Sequence, residues 1–539
     1  MRHSFRASNT LVRIFYVLLI CFPCTYAFWL ALCKLSIVPP RNLLLGGIYA
    51  GLLFGGCIFA AKPFRWAEGR RWYHPAVLAL LLITAFLVRV WVILKFKNPP
   101  VSNYQEARAS AEFLLGQGIS IFHPRPPVEL SGDDMALYHC IYPSWALYML
   151  VLKNLYALFG SSIYTAQFLN AVLTAGIMAG LYRLCARYLK RPGMGLGAAA
   201  AFGFWPVSIL SCTLHTPDFF TILLMLLALL AWARAGEQEG LLRRLPWTAA
   251  AGLLLGLLNR FKSVAAVLLA ALAICELVCR ILPALFARRK GFPQALGGGT
   301  AVLVSAALCM VAATAGADWA IGQNIGHPPQ NLTGWFFYVG LTGEDGMWTP
   351  EKQRFRDELL EEYSCDIPAV NQTLQRETLA QIRQDPGGTL GMIGEKTKTF
   401  WADDLDLFWS MYGRTMDHHY DLIKGASRVF YMALMLFVSL GALGLLADSF
   451  LSRSAPEAVI RQDFGPPAEG PLRRENRPLF LAALFLFGLA LMFLVSEMQI
   501  RYKFILGAPL SLMAGYGAYC LRLLPAALGE SRRPGARRP

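Results

Sequence analysis

The stretch PAVLALLLITAFLVRVWVILK, residues 75–95, decides the reading of the chain. About 20 mostly apolar residues in a helix reach across a hydrocarbon core about 30 Å thick, so this run predicts a membrane span. The apolar character stops abruptly in KNPPVSNYQEARASAEFLLGQG, residues 97–118. Outward from it, comparable runs lie near 11–33, 41–61, 163–184, 193–212, 217–234, 246–259, 262–281, 297–316, 427–448, 478–496 and 503–522. Asn259, Arg260 and Lys262 divide the pair around 246–281, which predicts two short helices meeting at a polar turn, because charges at mid-span are costly. The expected fold is an all-α, polytopic transmembrane protein of about twelve spans, with amphipathic helices lying along the interface in the outer loops.

Composition agrees. Of 539 residues 56% are hydrophobic and 16% charged, and the mean hydropathy is +0.44. Ordinary soluble domains carry roughly 25% charge. The net charge of +16 does not point to nucleic acid, because Lys and Arg come in bursts between the apolar runs rather than along one face. The bursts at 62–71, 183–191, 234–244, 280–290, 453–477 and 522–538 fall on alternate connections, which is the positive-inside pattern. Both termini are therefore expected in the cytoplasm. The first apolar run is too long for a signal peptide and is expected to remain as a span.

These assignments divide the chain into two N-terminal spans (1–74), a transmembrane core (75–316) holding a first outer loop (96–162), and a second outer region (317–426). The C-terminal spans (427–522) and a basic cytoplasmic tail (523–539) complete it. The second outer region predicts one helix, over 351–363. Ten of the twelve cysteines lie in or at the ends of apolar runs, leaving Cys140 and Cys365 as the pair available for a bridge between polar loops. The eight histidines show no ligand spacing, so no metal site and no required cofactor is expected.

Polar residues collect near the outer ends of the spans. Asn103, Glu106, Asp133, Asp134 and Asp218 supply carboxylates and one amide; Arg260, Lys262, Arg501, Tyr502 and Lys503 supply cations and a phenol. Taken singly, each reads as an interface residue with its head in water. Taken together, they set carboxylates on an outer loop against cations at the mouths of other spans.

Several stretches carry a resemblance: SNYQEARASAEFLLGQG (102–118), YHCIYPSWALYMLVLKNLYALFG (138–160), HTPDFF (215–220), GLLLGLLNRFK (252–262) and EMQIRYKF (497–504). In order and sidedness they resemble the GT-C glycosyltransferases of the protein O-mannosyltransferase and lipid A aminoarabinose transferase superfamily, over about 75–522. The resemblance implies transfer of a sugar, such as mannose or another hexose or pentose, from a polyprenyl-phosphate donor in the membrane lipid. The acceptor would be a hydroxyl of a protein, glycolipid or wall polymer outside a bacterial plasma membrane. The leaving phosphate needs fixed positive charge, and the acceptor needs one carboxylate as base. Lys262 matches the family's lipid-phosphate lysine, and Arg501-Tyr502 its RY element. The chain departs at Asn103, where the family has its catalytic Asp. Either Glu106, one helical turn on, takes the role, or Asp133, Asp134 or Asp218 does, or the chain is no longer a transferase.

The alternatives are a transporter or flippase of lipid-linked sugars and a non-catalytic partner subunit. A transporter calls for ionisable mid-span residues and broken helices in matching halves, whereas polarity here concentrates outside. For sidedness, Ser131→Cys should react with an impermeant thiol reagent on intact cells and Ser454→Cys should not. The reverse pattern would overturn the topology.

Overall fold

The computed structural model describes residues 16–59, 70–117, 135–286, 292–404, 420–451 and 476–531. After a π-helical turn the chain forms α1 (Phe22–Cys33), α2 (Pro40–Phe59) and α3 (Tyr73–Phe96). The first outer segment folds as α4 (Asn103–Gly116), α5 (Met135–Ile141) and α6 (Pro143–Phe159). The core continues through α7 (Ile163–Arg183), α8 (Pro192–Gly203), α9 (Pro206–Ser211), α10 (Asp218–Glu237), α11 (Leu241–Phe261), α12 (Ala265–Glu276), α13 (Leu282–Phe286) and α14 (Phe292–Ile325). Four outer helices follow, α15 (Thr333–Leu341), α16 (Pro350–Glu362), α17 (Ile367–Gln384) and α18 (Pro386–Ala402), before α19 (Tyr420–Leu451), α20 (Arg477–Val495) and α21 (Gly507–Ser531). No strand occurs among the described residues.

Every apolar run read from the sequence is helical, but they are not all continuous. Nine helical stretches among the described residues are long and apolar enough to cross a membrane. The remaining three runs are the short α1, the α8–α9 pair, and α12–α13 with a π-helical turn between them. The α8–α9 break has a local cause. Pro206 cannot continue a helix and pushes Trp205 into an extended conformation (φ −65°, ψ 122°).

That break frees carbonyls where no water is available to meet them. Arg89, fully buried inside α3, donates to the Gly203 carbonyl at 2.8 Å, to Ser208 Oγ at 2.8 Å and to its own Ala85 carbonyl at 3.1 Å. The Tyr49 hydroxyl donates to the Phe204 carbonyl. An intramembrane cation is thus used to close a backbone gap.

Close helix contact then fixes the outer mouth. In α11, a Cβ at Gly252 would lie 2.2 Å from the Ala306 carbonyl oxygen, and one at Gly256 2.4 Å from that of Met310. Two glycines four residues apart let α11 and α14 touch backbone to backbone, the usual way helices associate without a hydrophobic driving force. As the sequence predicts, α11 and α12 meet at a polar turn, with Lys262 extended (φ −163°, ψ 130°).

The second outer region holds more structure than the single helix expected. That helix is α16, capped by Thr349, whose Oγ1 accepts from Lys352 N. Asp366 and Asp385 cap α17 and α18 in the same way, each followed by proline in the first turn. Leu137 and Ile141 of α5 join Trp335, Val339, Leu359, Val370 and Leu374 in a second small core. None of the twelve cysteines is in a disulfide among the described residues. The Cys140–Cys365 bridge is not formed, and Cys140 Sγ instead sits 3.6 Å from the Pro328 carbonyl.

Cations from separate connections gather at one end of the bundle. Arg187 and Arg234 both reach Glu237, and Arg244 and Arg280 both reach Glu276. Asp218 begins the helix that Glu237 ends, so the expected outer residues lie at the opposite end. Replacing Arg89 with Met should cost about 1–3 kcal/mol, because the Gly203 carbonyl loses its donor in a dry site. Arg108→Met, which removes a partly exposed i,i+4 pair, should cost about 0.2–0.5 kcal/mol. Reversible unfolding in mixed micelles measures both.

Candidate functional site

Three chain segments build the cluster. The Asp218 carboxylate enters in the first turn of α10, where the helix dipole favours negative charge, and its backbone N–H donates to Thr216 Oγ1. Lys262 ends α11. The segment Glu497–Lys503 follows α20 and winds into a 3₁₀ stretch from Ile500 to Leu506. Successive side chains of that stretch point different ways, and this separates Arg501, Tyr502 and Lys503.

Lys262 Nζ stands 4.1 Å above the Tyr502 ring. Arg501 Nη1 donates to the Tyr104 hydroxyl at 2.9 Å, with its guanidinium 5.7 Å from the Tyr502 ring centre. Tyr104 lies in the first turn of α4, so this bond ties the first outer helix to the Arg501 element across the site. Burial lowers the Lys262 pKa; Asp218 and Glu497 raise it, and Arg501 lowers it further. These four charges therefore share one electrostatic neighbourhood. None of Lys262, Asp218, Glu106 and Glu497 forms an ion pair within the described residues.

Glu497 is buried, its N–H donates to the Phe336 carbonyl at 2.7 Å, and its Oε1 accepts from Gln499 Nε2 at 2.5 Å. The turn before it is held from below. Lys396 Nζ donates to the carbonyls of Gly340 (2.6 Å), Ser496 (2.8 Å) and Leu494 (3.1 Å). Gly340 lets α15 press on that turn, since a Cβ there would come within 2.1 Å of the Ser496 carbonyl carbon. Lys352 makes the parallel arrangement at the end of α15, donating to Val339, Thr342 and Met347.

Glu106 lies one turn into α4, exposed, and the cation beside it in sequence is taken elsewhere: Arg108 pairs with Glu112 at 2.9 Å and donates to the Ser161 carbonyl. Asn103 occupies the first position of α4, partly buried. Tyr138 of α5 connects Glu106 to the cluster. Its hydroxyl is buried with no hydrogen-bond partner among the described residues, and its pKa is raised by burial, then by Tyr142 and Glu106, while Arg501 lowers it, so it lies within the field of both charges.

Two expected phosphate ligands lie elsewhere. Arg260 is occupied: Nη2 donates to Asp318 at 2.6 Å and Nη1 to Asn331 Oδ1 at 3.2 Å. Lys503 is buried on the far side of its turn, donating to the Asp403 carbonyl, 4.5 Å from the Tyr431 ring and 5.0 Å from that of Phe400. There it faces Asp404, whose pKa burial and the neighbouring Asp403 push up to about 7, and which accepts from Trp205 Nε1 at 2.8 Å. Asp133 and Asp134 fall outside the described residues. Among the described residues no three metal-ligating side chains gather. Sequence reading missed Tyr104 and Tyr138 as site residues, because a phenol in an amphipathic helix carries no pattern that separates it from core.

Residues 145–310, which run from α6 into α14 and carry Asp218, Arg260 and Lys262, match the family described as dolichyl-phosphate-mannose-protein mannosyltransferase. That match spans less than a third of the chain, and over those residues the chain is similar to this family. Among solved structures, ArnT from Cupriavidus metallidurans bound to undecaprenyl phosphate is 13% identical over 86% of this chain and 81% of that one, with a TM-score of 0.31. The apo oligosaccharyltransferase of Archaeoglobus fulgidus is 14% identical over 87% of this chain, with a TM-score of 0.41. The same figures hold for AglB from that organism in complex with an inhibitory peptide and a dolichol-phosphate. The match covers 53% of the archaeal protein, about half its length. No curated protein matches the sequence.

Lys396 gives a pH-dependent expectation. Burial, then the neighbouring Lys352, lowers its pKa to about 8 from an ordinary 10.5. Above 10.5 it is neutral whether the chain is folded or not. Between 10.5 and about 8 the unfolded chain takes up the proton first, so the cost of the buried charge grows as pH falls and is complete below about 8. Stability should therefore rise from pH 8 to 10 more in the unaltered protein than in Lys396→Met, measured as paired unfolding midpoints.

Proposed function

We propose that the chain transfers a sugar, a hexose such as mannose, from a polyprenyl-phosphate donor to an acceptor hydroxyl on a protein, glycolipid or wall polymer. The observation that carries this reading is the Lys262–Tyr502–Arg501 cluster. Two cations from different elements converge at one end of the bundle, and among the described residues neither Lys262 nor the neighbouring carboxylates Asp218 and Glu497 form an ion pair. A departing lipid phosphate is the anion such a pair suits, because a phosphate leaves without needing a general acid and is stabilised by charge fixed in advance. The side-chain cations supply that charge, so the mechanism calls for no cofactor. The face is the extracytoplasmic one if the gathered arginines at the other end mark the cytoplasm.

Glu106 serves as base. Its carboxylate takes the acceptor proton as the acceptor oxygen attacks the anomeric carbon, the bond to the phosphate oxygen breaks, and configuration inverts. Exposure to the acceptor side and the diversion of Arg108 to Glu112 support this choice over Asp218, which lies within the field of Lys262 and Arg501 and balances their charge before donor binds. Asn103, three residues earlier, shares its face of α4.

Proton transfer contributes about 10²–10⁴-fold, so Glu106→Gln should abolish measurable sugar transfer from a labelled polyprenyl-phosphate sugar with donor binding intact. Asn103→Asp should be tolerated. Lys262→Ala should weaken donor use strongly, whereas Lys95→Ala, an exposed cation at the end of α3, should do little. Near-normal turnover in Glu106→Gln alongside a dead Asp218→Asn would move the base to Asp218. Equal, mild effects at Lys262 and Lys95 would remove the phosphate assignment.

A further inference from the structure

A cavity of about 420 Å³ opens at the end of the bundle away from this cluster. α10 runs from Asp218 at the candidate site to Glu237 at the cavity, and α20 from Arg477 at the cavity to Val495 beside the site. At 1.5 Å per residue these helices set the two about 30 Å apart, a full hydrocarbon thickness. Whatever the cavity holds is separate from the transfer chemistry, so the inference stands without the transferase reading.

The cavity carries excess positive charge. Each of its two carboxylates already has two guanidiniums: Glu237 takes Arg234 at 2.6 Å and Arg187 at 3.3 Å, and Glu276 lies 3.5 Å from both Arg244 and Arg280. Lys190 and Arg477 also line it, and among the described residues neither forms an ion pair. Arg477 spends one nitrogen on the Cys279 carbonyl at 3.3 Å, and its buried Nε has no hydrogen-bond partner among the described residues. It also opens the 19-residue helix α20, whose first turn has no side-chain cap, because Asn476 is turned away to Asp448 and Arg191. The dipole of that helix adds positive potential at the same point.

The remaining walls are apolar: Trp232, Leu229, Pro478 and Leu481. A soluble anion has no use for such walls, whereas a phosphate with hydrocarbon attached satisfies both halves, and basic pockets between spans suit such headgroups. We propose that this cavity is a binding site for the headgroup of an anionic lipid phosphate in the leaflet opposite the candidate active site. Lys190 and Arg477 contact the phosphate, the positive end of the α20 dipole lies behind it, and the apolar walls take the first carbons of the chains.

The test uses the purified full chain in detergent, with phosphatidylglycerol or phosphatidylcholine added and bound lipid counted by native mass spectrometry. The background is Lys262→Ala, which disables the opposite face. Phosphatidylglycerol should bind in preference, and the double variant Lys190→Gln, Arg477→Gln should weaken it at least about tenfold, the loss of a charge-assisted hydrogen bond. Gly236→Phe is the second variant. Gly236 lines the cavity and an added Cβ there meets nothing within 4 Å, so a side chain has room to start from this wall and the ring should exclude the lipid, with an unchanged unfolding midpoint as the folding control. Competition with undecaprenyl phosphate assigns the source. Displacement at lower concentration than phosphatidylglycerol itself makes the ligand a polyprenyl phosphate; weaker displacement makes it bulk phospholipid. Equal binding of phosphatidylcholine, or phosphatidylglycerol binding unchanged in either variant, overturns the site.

Discussion

Backbone carbonyls freed at broken helix ends must find donors where water is scarce, and buried cations provide them throughout this protein. Arg89 meets the break between α8 and α9, Lys352 the end of α15, Lys396 the end of α20 with the turn after it, and Lys503 the Asp403 carbonyl beyond α18. Each such cation lets a helix stop inside the protein, and each stop lets a loop or short helix reach the place where chemistry is proposed. Lys396 and α15 together hold the turn that leads to Glu497 and Arg501.

The same rule sorts the cations. A lysine or arginine whose donors are spent on carbonyls or on a carboxylate holds the fold. Arg260, held by Asp318 and Asn331, belongs with these. Lys262 stands apart, resting over a ring and facing carboxylates only at a distance. Arg501 is tied by Tyr104 to α4, so the outer helix that carries Asn103 and Glu106 is joined to the cationic element. Lys190 and Arg477 stand apart at the other end. The bundle thus presents excess positive charge at two places about 30 Å apart, joined by α10 and α20.

Helical spans, a polar turn at Lys262 and a common end for the arginine bursts were legible in the residue order. So was α16, through Thr349 and the proline after it. The helices α15, α17 and α18 were not: α15 is only nine residues long, the apolar positions of α17 are sparse and glycines crowd the start of α18, while a small tertiary core holds α15 and α17. The interruption at Phe204–Trp205 sits under an unbroken apolar run, and only Pro206 marks it.

Length and apolarity determine from sequence alone that this chain is a helical membrane protein, because a hydrocarbon slab sets one period and one span for every segment. Alternating basic bursts determine which connections lie together, because charge does not cross the slab freely. Which cation is spent on a carbonyl or carboxylate and which rests over a ring was decided only by tertiary structure. In NRFK, residues 259–262, and RYK, residues 501–503, neighbouring positive side chains look alike as letters. Backbone geometry sends Arg260 to Asp318 and Lys262 to Tyr502, Arg501 to Tyr104 and Lys503 to Asp403, because adjacent residues on a tight turn point in different directions.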